Sequence, residues 1–383
     1  MDTPTRNDLR ILQIGNVFLD RPIERLREGV PERRREELRD AFSRVLQTAE
    51  ESEVALVLFT GNLFDSAYLT NETVEFLVRE LSLRPHMQFV IAPGPFDPYG
   101  ETSIYRSGRF PQNVHIISEE MLSELDLPAL GVTVYGWAFT SAHHRFSPIK
   151  HKHVRNPERL NILAGFGECD QEDSALCPIT SEEIAAFGAH YAALSDPGFF
   201  EGFMRVGNCV MASGGKLECT SFADKQPGGV NLISAKPHED GAWQIFTKRL
   251  PSGEYRYAEV VLDVSHLTSE TEAAQKLLSL VREQGYNERT ALRVYLRGSV
   301  TPETSFYTLA SAEDYGVYAL FTVDETVPTD GTEYLVREMS ARGELYRRLL
   351  PAMTEGTPES RAGAARVFRI AYAALAGKDP LRL

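Results

Sequence analysis

The residues best suited to chemistry sit where short apolar runs end. "LVLFTGNLFDSAYL" reads as a buried strand, a glycine, and a loop that opens a helix, and it carries Asn62 and Asp65. "FVIAPGPFD" ends a second run with Asp97, and "YAALSDPG" ends a third near Asp196. Carboxylates at strand ends could serve as acids, bases or cation ligands, although loop or helix-capping roles account for Asp65 and Asp97 equally well. "SAHHRFSPIKHKHVRN" adds His143, His144, His151 and His153. His-x-His on a strand would turn both imidazoles to one face, a geometry suited to zinc or nickel. No acidic or cysteine partner stands at metal-ligand spacing there, and Lys150, Lys152 and Arg155 fit an exposed basic loop. "GECDQEDSALC" reads as an acidic surface loop. There is no P-loop, dinucleotide fingerprint or GxSxG elbow.

The elements that must position these residues follow a βαβαβ rhythm. "LRILQIGN" and "VALVLFTGN" are strands entering loops, and the second is apolar throughout, as a strand buried on both faces would be. "PERRREELRDAFSRVLQTAEES" puts Leu38, Phe42, Val45 and Leu46 at helical spacing, and "NETVEFLVRELSL" aligns Val74, Leu77 and Leu81. "MQFVIAPGPFD" is again strand then loop. The pattern predicts an α/β sandwich with functional loops at the C-terminal ends of its strands. "GVTVYGWAF", "RLNILAGFG", "HYAALSDPG", "NCVMASGG" and "GGVNLISA" then follow as short strands bounded by glycine or proline. "GEYRYAEVVLDVS" alternates, with Val260, Leu262 and Val264 on one face. "SETEAAQKLLSLVREQG" opens with a capping box, Ser269 and Glu272, and stops at Gly285. These signals divide the chain into a first domain over 1–254, a small α+β domain over 255–330, and a helical tail over 331–383.

The chain has 383 residues, 43% hydrophobic and 25% charged, enough for a large core. No apolar run approaches the roughly 20 residues needed to span a bilayer, and "MDTPTRNDLR" is no signal peptide. Cys169, Cys177, Cys209 and Cys219 show no CxxC spacing, which fits free thiols in the cytoplasm. A net charge of −14 opposes autonomous nucleic-acid binding. The one dense basic stretch, "RLREGVPERRREELRD", is interleaved with glutamates as in a solvated amphipathic helix.

Taken together these segments resemble the calcineurin-like metallophosphoesterases, and within them the SbcD-type DNA repair nucleases, over nearly the whole chain. "RILQIGNVFLDRP" resembles the motif in which a strand is followed by D-x-H. "LVLFTGNLFD" resembles G-D-L-F-D, and "FVIAPGPFD" resembles G-N-H-D. "LNILAGFG" resembles the strand that ends in a lone histidine, and "YAALSDPG" the one that ends in G-H-x-H. The resemblance implies a two-sheet sandwich flanked by helices, then a small α+β capping domain and C-terminal helices. In active members it also implies a pair of metal ions, usually manganese.

Carried across, the metal and catalytic positions fall on Asn16, Phe18, Asn62, Pro95, Phe96, Gly165 (or Phe166, one residue on), Asp196 and Gly198. None keeps the family residue. Paired divalent ions need anionic or imidazole ligands to offset their repulsion and lost hydration. Phenylalanine, proline and glycine side chains offer no lone pair, and a neutral amide cannot bridge two metals as a carboxylate does. The expectation is therefore an inactive homologue with no cofactor, acting as a binding or scaffold subunit. Its alternative is an active phosphodiesterase or nuclease rebuilt around Asp65, Asp97, Asp196 and the histidine loop. The resemblance further implies an SbcC-like coiled-coil ATPase as partner, a homodimer paired through "NETVEFLVRELSL" and "ETSIYRSGRF", DNA contact only within a complex, and no membrane. The partner helix would dock on an apolar stripe of Val367, Phe368, Ala371, Tyr372 and Leu375, which helical packing within the chain would also explain.

Overall fold

The computed structural model describes residues 8–23, 30–171, 173–196, 202–224, 227–238, 242–265, 267, 269–300, 311–328, 334–375 and 377. Gly198, a position implied by the resemblance, lies outside the described residues. The chain forms two compact units, one of residues 1–219 with 226–254 and one of residues 220–225 with 255–383.

The first unit begins β1 (Leu9–Ile14), α1 (Val30–Glu51), β2 (Leu56–Phe59), α2 (Asn71–Ser82), β3 (Gln88–Ile91) and β4 (Val114–Ile116). It continues with β5 (Ser123–Leu127), β6 (Val132–Gly136), β7 (Leu160–Phe166), the short pair β8 (Glu168–Cys169) and β9 (Pro178–Ile179), and α3 (Ser181–Phe187). It closes with β10 (Tyr191–Ser195), β11 (Phe203–Val206), β12 (Cys209–Ser213), β13 (Gly229–Pro237) and β14 (Trp243–Pro251). One six-stranded sheet has the order β14-β13-β1-β2-β3-β4 and the other β11-β12-β10-β7-β6-β5. β1 to β4 run parallel, and so do β6, β7, β10 and β12, so their C-terminal ends gather on one rim of each sheet.

Strand alternation explains the layers. On β1, Leu9 and Ile11 face the other sheet and meet Val132, Leu160, Ile162 and Ala193. Leu12 and Ile14 face outward and meet Leu38, Phe42 and Leu46 of α1 and Leu77 and Leu81 of α2. On the far side, Leu163, Ala192, Leu194 and Met211 pack on Ile184 and Phe187 of α3. Both faces of the central strands are therefore covered, as the unbroken apolar run of β2 required. Leu77 and Leu81, at 1% and 0% exposure, belong to this core and are not available to a second copy.

The second unit holds β15 (Arg256–Asp263), α4 (Glu270–Glu283), β16 (Thr290–Arg297), β17 (Ser299–Val300), β18 (Ala319–Asp324), β19 (Val327–Pro328), α5 (Tyr334–Arg337), α6 (Ala341–Thr354) and α7 (Pro358–Leu375). β15, β16 and β18 form a parallel sheet whose Leu262, Leu292 and Val294, with Val264 just past β15, pack on Leu277 and Val281 of α4. Ser269 caps α4 by accepting from the Glu272 N–H at 3.3 Å. The tail helices belong to this same unit, and Arg369 of α7 donates to Asp324 and Thr326 at the end of β18. Among the described residues no helix is long and apolar enough to cross a membrane.

One expectation for the tail needs correcting. Phe368 and Tyr372, at 0% and 1% exposure, do not present themselves to a partner. They form a small core with Leu335 and Tyr346, and the Phe368 ring meets those of Tyr346 and Tyr372 at 5.3 and 5.6 Å. Packing within the unit buries the same side of α7 that the helical stripe marked. Val367 and Leu375 remain about half exposed, and Ala371 is half-buried. A charge at a closed apolar position is desolvated without a mate, so Phe368→Asp should destabilise the second unit by about 3 kcal/mol. Val367→Asp should stay within about 0.5 kcal/mol. Thermal melting of the full chain measures both, and equal effects would show that α7 is not packed as described.

Candidate functional site

The loops leaving β1, β2 and β3 converge at one rim of the first sheet. The first two run side by side: Asn16 N–H donates to Gly61 O at 3.1 Å, Phe18 N–H to Asn62 O at 2.9 Å, and Leu19 N–H to Leu63 O at 3.1 Å. Three non-glycine residues of the first loop take left-handed backbone, Asn16 (φ 46°), Phe18 (φ 55°) and Asp20 (φ 62°), and Asn62 (φ 57°) does so in the second. Asparagine tolerates that region, but a bulky residue such as Phe18 occupies it only at a cost of roughly 1–2 kcal/mol, which the surroundings must offset. The loops approach backbone to backbone, since a Cβ on Gly94 would stand 2.9 Å from Asn62 N and 3.0 Å from Gly61 Cα.

The two asparagines lock onto each other. Asn62 Nδ2 donates to Asn16 Oδ1 at 2.8 Å, and Asn16 Nδ2 donates to the backbone oxygens of Asp196 and Gly215, each at 3.1 Å. Asn62 Oδ1 accepts from Phe96 N–H at 3.1 Å. Both amides are buried, so these bonds are needed to satisfy them.

Beneath them lies Asp97, fully buried. Its Oδ1 accepts from the N–H groups of Gly94 at 2.7 Å and Asn62 at 2.8 Å. Its Oδ2 accepts from Leu63 N–H at 2.8 Å and the Tyr105 hydroxyl at 2.7 Å. Burial raises the carboxyl above the usual aspartate range, opposed first by Tyr105 and then by the three backbone donors. Burial and the neighbouring Asp97 also push the Tyr105 hydroxyl well up, so it stays a donor. Asp97 is thus a fastener between the second and third loops, a role that uses up its acceptors.

The donor set does not fit two divalent ions. Phe18 and Phe96 present only rings, packed edge to face at 5.4 Å. Pro95 has no lone-pair side chain. A Cβ on Gly165 would stand 2.4 Å from the Trp137 indole, which fills that space and donates to Phe166 O at 2.9 Å. Phe166 itself is buried against Phe139. Asp196 is buried, its backbone oxygen engaged by Asn16. Beside these residues a cleft of about 530 Å³ opens, lined by Arg21, Asp65, Tyr68, Phe96 and Pro98. Asp65 lies 3.9 Å from Arg21 and accepts from Ala67 N–H at 3.1 Å, a loop-forming contact.

The histidines do not converge. His151 has φ 59° in a turn, and His153 meets Ala186 O at 2.8 Å, so no strand aligns the pair. His144 is buried between Phe139 and Phe146, at ring separations of 5.3 and 4.4 Å, and burial lowers its pKa to about 4. Among the described residues no group of three or more histidine, cysteine or acidic side chains is placed to hold a metal. Cys169 and Cys177 are buried at the ends of their acidic segment, not exposed on a loop. Sequence reasoning missed Arg21, Tyr105 and Trp137. Only the position of Arg21 three residues after Phe18 offered a signal, and nothing local tied Tyr105 to Asp97.

Asp97→Asn swaps an acceptor oxygen for an amide that must face N–H or O–H donors. It should cost about 2–4 kcal/mol in urea unfolding, and an unchanged midpoint would remove Asp97 from its fastening role. His144 sets a pH dependence. Folded, it stays neutral down to about pH 4, whereas the unfolded chain protonates near the ordinary 6.5. Between these values the unfolded state binds the extra proton, so stability falls as pH falls. His144→Phe should flatten that limb of a melting-temperature profile, and a limb of unchanged slope would refute this assignment.

No protein-family model matches this sequence, and no curated protein matches it. Among solved structures, TT1561 of Thermus thermophilus is similar over 63% of this chain and 99% of that one, with 12% identity and a TM-score of 0.35. Vps29 of Chaetomium thermophilum is similar over 63% of this chain and 97% of that one, with 10% identity and a TM-score of 0.25. Both have the calcineurin-like metallophosphoesterase fold. The α/β sandwich of the first unit is established by its strand order and layering.

Proposed function

We propose that this chain is a catalytically inactive SbcD-like homologue that works as a binding or scaffold subunit in the cytoplasm. Its partner in this reading is an SbcC-like coiled-coil ATPase in DNA maintenance, with DNA met only inside the complex. The observation that carries the inactive half is the amide pair Asn16–Asn62, bonded at 2.8 Å where the resemblance expects carboxylates. The partner half draws on the family resemblance and on apolar side chains left exposed in the second unit, among them Tyr334, Met339, Val367 and Leu375. Pairing of two copies, if family-like, uses surfaces other than Leu77 and Leu81. The rebuilt-site alternative is less well supported, because Asp97 spends its acceptors on four internal donors and His144 is buried.

The reading expects no stoichiometric manganese or iron by elemental analysis after exposure to excess manganese. It also expects background nuclease activity with manganese for both the natural chain and Asn62→Asp. Two bound ions per chain, or activity in either protein, would overturn it. For the partner, Val367→Asp with Leu375→Asp should leave melting unchanged and abolish co-purification with an ATPase encoded beside this chain's gene. Retained co-purification would move the contact elsewhere.

A further inference from the structure

We infer that Phe18, Phe96 and Asp65 build a seat for a planar guanidinium cation, which the chain fills with its own Arg21. The guanidinium carbon lies 4.4 Å from the Phe18 ring centroid and 4.3 Å from that of Phe96. Both distances are inside the roughly 6 Å over which a ring face attracts a cation. Asp65 supplies the formal countercharge at 3.9 Å, and its side chain is only 9% exposed. The seat therefore takes one wall from each of the loops that follow β1, β2 and β3.

The chemistry selects the occupant. A ring face offers a diffuse negative quadrupole and no lone pair, so it suits a flat, weakly hydrated cation and not a compact, strongly hydrated one. Manganese or sodium would lose most of its water there and gain only the Asp65 carboxylate as a ligand. The Arg21 side chain is 40% exposed and lines the cleft with Asp65 and Phe96. Removing it would leave an opening that solvent cations can enter. This inference stands on the loop geometry and does not depend on the scaffold reading.

The test is chemical rescue, read as melting temperature at constant ionic strength. Arg21→Ala should melt several degrees below the natural chain. Methylguanidinium should raise the midpoint of Arg21→Ala and not that of the natural chain, whose seat is filled. Manganese and methylammonium at the same ionic strength should not reproduce the rise. Adding Phe96→Leu to Arg21→Ala, at a half-exposed position, should abolish the rescue. An equal response of both proteins to methylguanidinium, or an equal rise with manganese, would overturn the proposal. If Arg21→Ala yields no folded protein, Arg21→Lys decides: it keeps the charge and loses the flat surface, so it should melt below the natural chain. Equal melting of the two would refute a guanidinium-specific seat.

Discussion

The arrangement of the rim depends on Asp97. A carboxylate taken out of water is costly unless donors surround it, and here the N–H groups of Asn62, Leu63 and Gly94 and the Tyr105 hydroxyl do so. The three backbone donors form a concave nest of the kind that binds anions, and the chain fills it with its own side chain. Because those donors come from two loops, the carboxylate sets the distance between them. That distance places Phe96 N–H against Asn62 Oδ1, which in turn orients the Asn62 amide toward Asn16.

The second constraint is the left-handed backbone at Asn16, Phe18 and Asn62. These conformations turn the chain sharply at the strand ends and bring three loops within reach of one another. In a metal site of the kind the resemblance implies, cations would hold such loops together. Here the joining groups are an amide pair, a buried carboxylate, and an arginine between two rings. Each uses atoms of the chain alone, so the rim can close without an external ion.

Much of the fold was legible in the residues. The unbroken apolar run at 56–59 marked a strand covered on both faces, and it proved to lie inside a sandwich with helices outside. Helical spacing in α1 and α2 named their buried residues, because one apolar face against one sheet is a local property of sequence. The site was legible in place but not in contact. Asp97 was visible as a loop residue, yet its donors depend on how loops far apart in sequence close. The Trp137 ring that fills the space over Gly165 was invisible for the same reason. The stripe on α7 correctly marked an apolar face. Amphipathicity cannot say what covers a face, and here α5 and α6 of the same unit cover Phe368 and Tyr372.

The amide pair also explains why the substitutions at the rim form a set. A carboxylate at position 62 would set an oxygen about 2.8 Å from Asn16 Oδ1, two acceptors facing each other with no proton between them. Rotating the Asn16 amide to offer its nitrogen would turn its oxygen toward the carbonyls of Asp196 and Gly215, breaking both of those bonds. A proton held on the buried carboxyl, at the cost of its charge, or a cation between the two oxygens would relieve the conflict, and ligands to complete a cation's shell are absent at Phe18, Pro95 and Phe96. The neutral pair is therefore self-consistent, whereas a single acidic reversion is frustrated by its neighbours. The inner rim is joined by neutral amides, and the cation beside it, Arg21, lies at the mouth, where ring faces and Asp65 hold it partly in solvent.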